Sequence, residues 1–413
     1  MKVNPWTLGL AAAGLVSLPA GTQAEEKLNP LLTAVTPTSL SGAVSTSIEW
    51  NPGTGNVFSS PRLYQQGKAD GFNLDVVSLT LDKPLDESQL AAGYHVDLWF
   101  GPDANTFASQ SSVDPDTGNR ISADFAIKQA YIALRTPFGN GIEWKVGVFD
   151  SVIGYESHDS WKDPNYSRSY ATSIEPHTHT GVLGSYQFSS TFSMSAGIAD
   201  THGPQINQRG NPPKAESFKT YMASLALTAP DNWGFVSGST FYSGFVNGFS
   251  GGWDGSVFNY YAGITLNTPV KKLKVGTAFD YATRTDDAAP GGSHAALNAW
   301  ALTGYTSYEL TEKMSAHIRL EYAQTDANIF QTGAQLPDGN SKLFGITGTL
   351  QYDLWANVIS RLELIWDHQA GDNDMRGFGG RPEKPDNATG EPPETHGSKR
   401  DAFTIALNLI YKF

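Results

Sequence analysis

Residues 402–413 read AFTIALNLIYKF. Phe403, Ile405, Leu407, Leu409, Tyr411 and Phe413 share one parity. Thr404, Ala406, Asn408 and Lys412 share the other, with Ile410 the exception. A period of two marks a strand with one apolar and one more polar face. A sheet in water seldom closes on a fully apolar strand that ends in an aromatic ring, because such an edge recruits other chains. In a closed barrel the same strand pairs with the first one and leaves no edge. An ordinary buried terminal strand is the plainer alternative, and the rest of the chain separates the two.

The opposite end agrees with the barrel. Lys2 precedes an apolar run, Leu8–Leu18, and Thr22-Gln23-Ala24 puts a small residue before Glu25. That pattern predicts a secretory signal peptide, 1–24, cleaved after Ala24, then a short lead, 25–38, and a barrel over 39–413. The run is about eleven residues, against the ~20 a membrane helix needs. No later segment reaches ~18 consecutive apolar residues, and mean hydropathy is −0.31. Neither value argues against barrel strands, which give only alternate residues to lipid. The net charge of −13 leaves no basic stripe for nucleic acid. The absence of cysteine removes disulfide frameworks and thiolate metal sites.

Between the ends, period-two segments follow one another. They run 40–50, 72–81, 90–100, 125–134, 142–149, 180–188, 192–198, 218–228, 233–242, 257–266, 273–281, 297–310, 313–324, 343–352, 358–367 and 402–413. The count is sixteen, even, as an antiparallel barrel requires. In 313–324, Met314, Ala316, Ile318, Leu320 and Tyr322 oppose Ser315, His317, Arg319 and Glu321. Two segments break parity. One changes near Val76-Val77, which suggests a bulge, and the other carries Lys128 and Gln129 side by side. Short connections such as 136–140, 189–190, 230–232 and 311–312 alternate with long polar ones, among them 150–178, 243–256 and 368–401. All tight turns then lie at one rim and all long loops at the other, the arrangement of a transmembrane antiparallel barrel with short periplasmic turns and long extracellular loops.

A barrel of this width is too wide for wall side chains to fill, so its inward parity should be polar and wet. His95, Asp97, Glu143, Lys145, His317, Arg319, Glu321, Arg361, Glu363 and Asp367 fall on that parity and are the candidate pore lining.

The stretch 145–185 carries Gly147, Phe149, Gly154 and Glu156 at a strand end, then Asn165 and Ser169, then Pro176, His179 and Gly181. This resembles the OmpL-like β-barrel porins, in which G-x-F-x-x-x-x-G-x-E leads into N-x-x-x-S and a P-x-x-H-x-G return. The resemblance covers about forty residues and implies an outer-membrane porin, without naming its solute. In general porins the loop after the fifth strand enters the lumen. By position that loop is 150–178, and Glu156, Asp159, Lys162, Asp163 and Arg168 are its candidate constriction charges. Facing Lys145, Arg319 and Arg361, they would set a field across a narrow bore. The last strand also resembles the signal read by barrel-assembly machinery, which marks Tyr411 and Phe413.

The expectation is an outer-membrane channel for small hydrophilic solutes, surrounded by lipid and lipopolysaccharide, as a homotrimer or a monomer. Two alternatives stay open: a substrate-specific channel or transporter, and a structural or adhesive barrel with an occluded pore. An enzyme is not expected. Ser315 lies on the face of His317 without an orienting signature, and no G-x-S-x-G elbow is present. No cofactor or metal is expected either. His177 and His179 could pair on a metal, but only Glu175 stands near as a third ligand. The acidic tracts 114–119 and 371–374 lack the bidentate glutamate of a full calcium loop.

Overall fold

Sixteen strands follow the chain in order, each antiparallel to the next, and the last returns to the first. They are β1 (Ser39–Trp50), β2 (Gly71–Lys83), β3 (Ala91–Phe100), β4 (Phe125–Thr136), β5 (Ile142–Asp150), β6 (Thr178–Ser189), β7 (Phe192–Ala199) and β8 (Thr220–Thr228). The second half comprises β9 (Thr240–Phe249), β10 (Ser256–Asn267), β11 (Leu273–Thr285), β12 (Ala296–Glu309), β13 (Met314–Thr325), β14 (Ser341–Trp355), β15 (Val358–Ala370) and β16 (Asp401–Lys412). Among the described residues a short helix, α1 (Pro102–Phe107), follows β3. The computed structural model describes residues 38–53, 60–65, 67, 68, 70–110, 124–210, 218–249, 255–285, 296–326, 341–370, 377, 378 and 399–413. The signal peptide, all of the lead but Thr38, both acidic tracts and most of 368–401 lie outside the described residues.

Closure rests on the strand that opened the reading. β16 runs against β1 from Ala43↔Lys412 to Trp50↔Ile405. Beyond it, the backbones of Gly42 and Phe413 exchange hydrogen bonds of 2.9 and 3.1 Å. The cylinder is inside-out relative to a protein in water. Ile318 and Leu320 are about half exposed on the outside, while Arg319 between them is fully buried. With no open edge and an apolar exterior, the sheet satisfies its own backbone and can stand in lipid.

Both parity breaks are bulges. Ser45 pairs with Val76 and Thr46 with Leu74, so Asp75 is the extra residue of β2. Asp97 pairs with Gln129 and Leu98 with Ile127, so Lys128 is the extra residue of β4. The bulge turns Lys128 and Gln129 both inward, at 0% and 4% exposure, and no polar group of the pair faces lipid.

The ninth strand is a correction. The sequence predicts it over 233–242, but β9 begins at Thr240. Residues 229–239 form an extended turn with a 3₁₀ segment, Gly234–Val236, and the following connection shrinks to 250–255. Short and long connections therefore do not alternate strictly. The misleading signal was Trp233-Gly234-Phe235. It mimics strand alternation, yet both rings are exposed at the turn rim, where amphipathic aromatics favour an interface.

The interior is not simply wet. One apolar island joins Val152, Ile153 and Tyr155 of loop 150–178 to Met222, Val246 and Tyr305 of the wall. A second joins Tyr170 and Ile174 of that loop to Ala299, Ala323 and Leu343. A third gathers Trp161 with Trp99, Phe107 and Ile410. Ile410, the parity exception of the last strand, is inward because it packs in the same island as this loop tryptophan.

Candidate functional site

A loop inside a barrel faces a backbone problem. Its N–H and C=O groups leave water, and no neighbouring strand is there to pair them. The inward parity of β13 and β15 supplies the partners as side chains. Arg319 donates to the carbonyls of Ser167 and Arg168 at 2.6 and 3.0 Å. Arg361 donates to those of Asp163, Asn165 and Ser160 at 3.1, 2.7 and 2.9 Å. Glu363 accepts from the backbone N–H of Tyr166 and Ser167, at 2.7 and 2.8 Å. Glu321 accepts from that of Tyr170 at 2.7 Å. Arginine meets loop carbonyl and glutamate meets loop amide, so the wall reads the loop as a strand edge would.

This changes the role of five predicted lining residues. Arg319, Glu321, Arg361, Glu363 and Asp367 are each 2% exposed or less. They lie under the loop and hold it, rather than facing an open bore. The expected field between loop acids and a wall of Lys145, Arg319 and Arg361 is not what the contacts show. Glu156 does meet Arg319, at 3.0 Å. Asp159 instead serves Lys128 and Lys162, and Asp163 stands 3.8 Å from Arg168. Lys145 lies over the Tyr131 ring, 4.8 Å from its centroid, and forms no ion pair among the described residues. Each loop charge is balanced close by.

The loop crosses the lumen from one side to the other. Beyond Gly154 (φ +117°), the Tyr155 ring stacks on Tyr305 at 4.2 Å and its hydroxyl meets Thr265 at 3.1 Å. At the far wall the Tyr166 hydroxyl reaches Ser47, Glu49 and Asp75 at 2.8–2.9 Å. Asn165 donates to Thr349 at 2.7 Å. Between these points most loop residues are buried. The remaining predicted lining residues lie elsewhere. Asp97 is buried, 3.6 Å from Lys128. His317 is held between Ser315 and Ser307 at 2.9 and 2.8 Å, with no carboxylate hydrogen-bonded to its ring among the described residues. His95 pairs with Asp82 and Glu143 with Arg135. The latter pair borders a cavity of about 380 Å³ at the turn rim, with Ser185, Gln187 and Ser195 also in its wall.

Sequence reasoning missed Arg62, Lys128, Tyr166 and Tyr170, all buried contributors to this assembly. Only Lys128 left a trace, as the parity conflict in β4. The two imidazoles weighed for a metal take separate partners. His179 contacts Ser151 Oγ at 3.2 Å and the Thr201 carbonyl at 3.3 Å, while His177 stacks on Phe107 and lies against His158.

Burial sets the protonation of the loop. Burial opposes charge on Asp159, but Lys128 and Lys162 outweigh it and hold the carboxyl down to about 2. Burial pushes Asp163 up to about 7, against the pull of Arg168. Burial, and then the neighbouring Asp280, raise Glu175 well above the usual carboxylate range. Glu175 therefore docks as the neutral acid. A folded-state pKa above the unfolded one contributes stability fully present below the unfolded value, which is lost as pH rises through the folded value. Glu175→Gln, neutral at every pH, should match the wild type at pH 4. At pH 8 it should be the more stable of the two. Thermal unfolding at the two pH values checks this, and equal midpoints at pH 8 would refute it.

Residues 37–413 match the family described as "Putative beta-barrel porin-2, OmpL-like". No curated protein sequence matches the chain. Among solved structures, an anion-selective porin from Comamonas acidovorans superposes with a TM-score of 0.55 at 13% identity, covering 91% of this chain and 99% of that one. The outer-membrane channel DcaP of Acinetobacter baumannii gives 0.55 at 10% identity, over 91% and 97%. Salmonella typhi OmpF gives 0.55 at 9%, again over 91% and 97%. At such identities the superpositions speak for the fold.

Proposed function

Because this chain belongs to the OmpL-like β-barrel porin-2 family, a family of bacterial outer-membrane channels, we propose that it passes small hydrophilic solutes by diffusion through a bore narrowed by loop 150–178. The observation that carries this reading is the pairing of loop backbone with wall arginines and glutamates. A loop held at this many points keeps a fixed cross-section, which is what a size-selecting pore needs. Arg319, Glu321, Arg361, Glu363 and Asp367 act as its anchors. Of the loop charges, Lys162 keeps a side chain 32% exposed and is the one offered to solutes. His95, Glu143 and Lys145 line the turn-side mouth. The burial of most of the loop favours the second reading, a selective channel, over a wide general pore. By the same reading, the signal peptide is removed after Ala24, and assembly machinery recognises the outward Tyr411 and Phe413. The chain works in lipopolysaccharide-containing membrane as a monomer or homotrimer, without enzymatic activity.

Conductance in planar bilayers tests this, with the reversal potential read in a salt gradient. The wild type should show discrete ohmic steps, and a chain lacking 157–172 should show steps at least about twice as large. If the wild type shows no steps, the diffusion reading fails. Equal steps from the two chains would remove the loop from the constriction.

A further inference from the structure

Three neighbouring strands carry one row of inward residues: Glu321 on β13 pairs with Gly345 on β14, and Gly345 pairs with Asp367 on β15. The row is carboxylate, hydrogen, carboxylate. A Cβ on Gly345 would stand 2.5 Å from Arg62 Nη2, 3.0 Å from the Tyr170 hydroxyl and 3.2 Å from Asp367 Oδ1. The gap is therefore filled by a guanidinium from the first loop. Arg62 donates through Nη1 to Glu321 and to the Arg168 carbonyl, the latter at 3.1 Å. Through Nη2 it donates to Asp367 at 2.7 Å. Its guanidinium carbon lies 4.4 Å from the centroid of the Tyr170 ring. The side chain is fully buried.

Neighbours of Arg62 make the same crossing. Ser60 donates to Asp367 at 2.6 Å. Tyr64 lies edge-on to Trp99, ring centroids 6.1 Å apart, and beneath Arg168 at 5.5 Å. It holds φ +67°, a conformation that a bulky residue keeps only when its surroundings fix it. Lys68 pairs with Asp75 and Asp103 at 2.9 and 2.8 Å.

Resting on the porin reading, we propose that residues 60–65 of the first loop, with 67 and 68, form a strap across loop 150–178, and that Arg62 is the positioning residue that locks it. The slot of Glu321, Gly345 and Asp367 recognises a planar guanidinium bidentately, a fork that lysine cannot reproduce. Locked, the strap fixes Arg168 and Tyr170 and with them the width of the bore. Released, the constriction loop loses one side of its clamp, and Asp367 loses its arginine.

Single-channel recording of Arg62→Ala tests the lock. Conductance should rise at least about twofold, with a shift of the reversal potential toward cations. Ethylguanidinium in the bath should refill the slot and bring the conductance back toward wild type, whereas ethylammonium should not. Arg62→Lys should recover only part of the wild-type behaviour. A second variant, Gly345→Ala, leaves Arg62 in place but fills its seat, and should reproduce the Arg62→Ala conductance. If either variant inserts poorly, Ser60→Cys and Asp367→Cys in this cysteine-free chain, joined by a short bis-methanethiosulfonate linker, should hold conductance low, and reductive cleavage of the linker should raise it. Wild-type steps with an unchanged Arg62→Ala conductance, or rescue by ethylammonium as good as by ethylguanidinium, would overturn the strap alone. Absence of steps from every chain would overturn the porin reading and the strap with it.

Discussion

Arg319→Ala is expected to raise conductance severalfold while leaving the barrel assembled. Arg319 holds two loop carbonyls, the Ser167 hydroxyl, Glu156 and Glu321 at once. Removing it takes the arginine from Glu156 and Glu321 and its donors from the Ser167 carbonyl and hydroxyl, at an expected cost of about 3–5 kcal/mol for a broken buried ion pair. The sheet does not depend on these bonds, since its ladder is backbone to backbone. The molecule can therefore relieve the stranded groups by letting the loop go and admitting water. Three readouts follow: larger steps, new protease cleavage within 157–172, and a folded barrel that still shifts mobility on heating. Lys145→Ala is the control, because Lys145 lies over the Tyr131 ring and forms no ion pair with the loop among the described residues; its steps should change far less than those of Arg319→Ala. Equal conductance for Arg319→Ala and wild type, with the loop still protected, would show that this anchor does not hold the loop.

The second large effect is on the wall itself. Lys128 is fully buried on the β4 bulge, with Asp97, Asp150 and Asp159 at 3.6, 3.1 and 3.4 Å. Two of those acids belong to β3 and β5, so undocking the loop cannot relieve them. Lys128→Met should lower barrel stability by about 3–5 kcal/mol, because carboxylates are left buried beside one another. Adding Asp97→Asn, Asp150→Asn and Asp159→Asn should restore most of that loss. Here the charge is the problem, and a neutral polar cluster of the same shape is tolerable. Heat-induced loss of the folded band, compared across the single and quadruple variants, decides it. A quadruple variant no more stable than Lys128→Met would mean that packing of the lysine stem, not its charge, carries the site.

These effects also show how far the sequence could be read. Strands such as 313–324 and 402–413 were legible because lipid enforces a strict period of two on their outward side. The ninth strand was misplaced because Trp233 and Phe235 meet the membrane from a turn, and an interface accepts an aromatic ring whatever the backbone beneath it. The inward charges were legible as inward, but not as anchors. Parity says which way Arg319 and Arg361 point and cannot say what waits there. Arg62 left no local trace, since its partners lie on strands far along the chain. The one available hint was Gly345, a missing side chain in an inward row otherwise filled by polar and large residues.

That distance has a consequence for the order of assembly. Arg62 sits 259 residues before Glu321 and 305 before Asp367, so its contacts are of very high contact order and belong to the slow end of the process. The slot does not exist until β13, β14 and β15 stand side by side. A hoop that closes before Arg62 is seated has the wider bore of the unlocked channel, so a cell would need that interval to be short, or the membrane would bleed solutes at every insertion event.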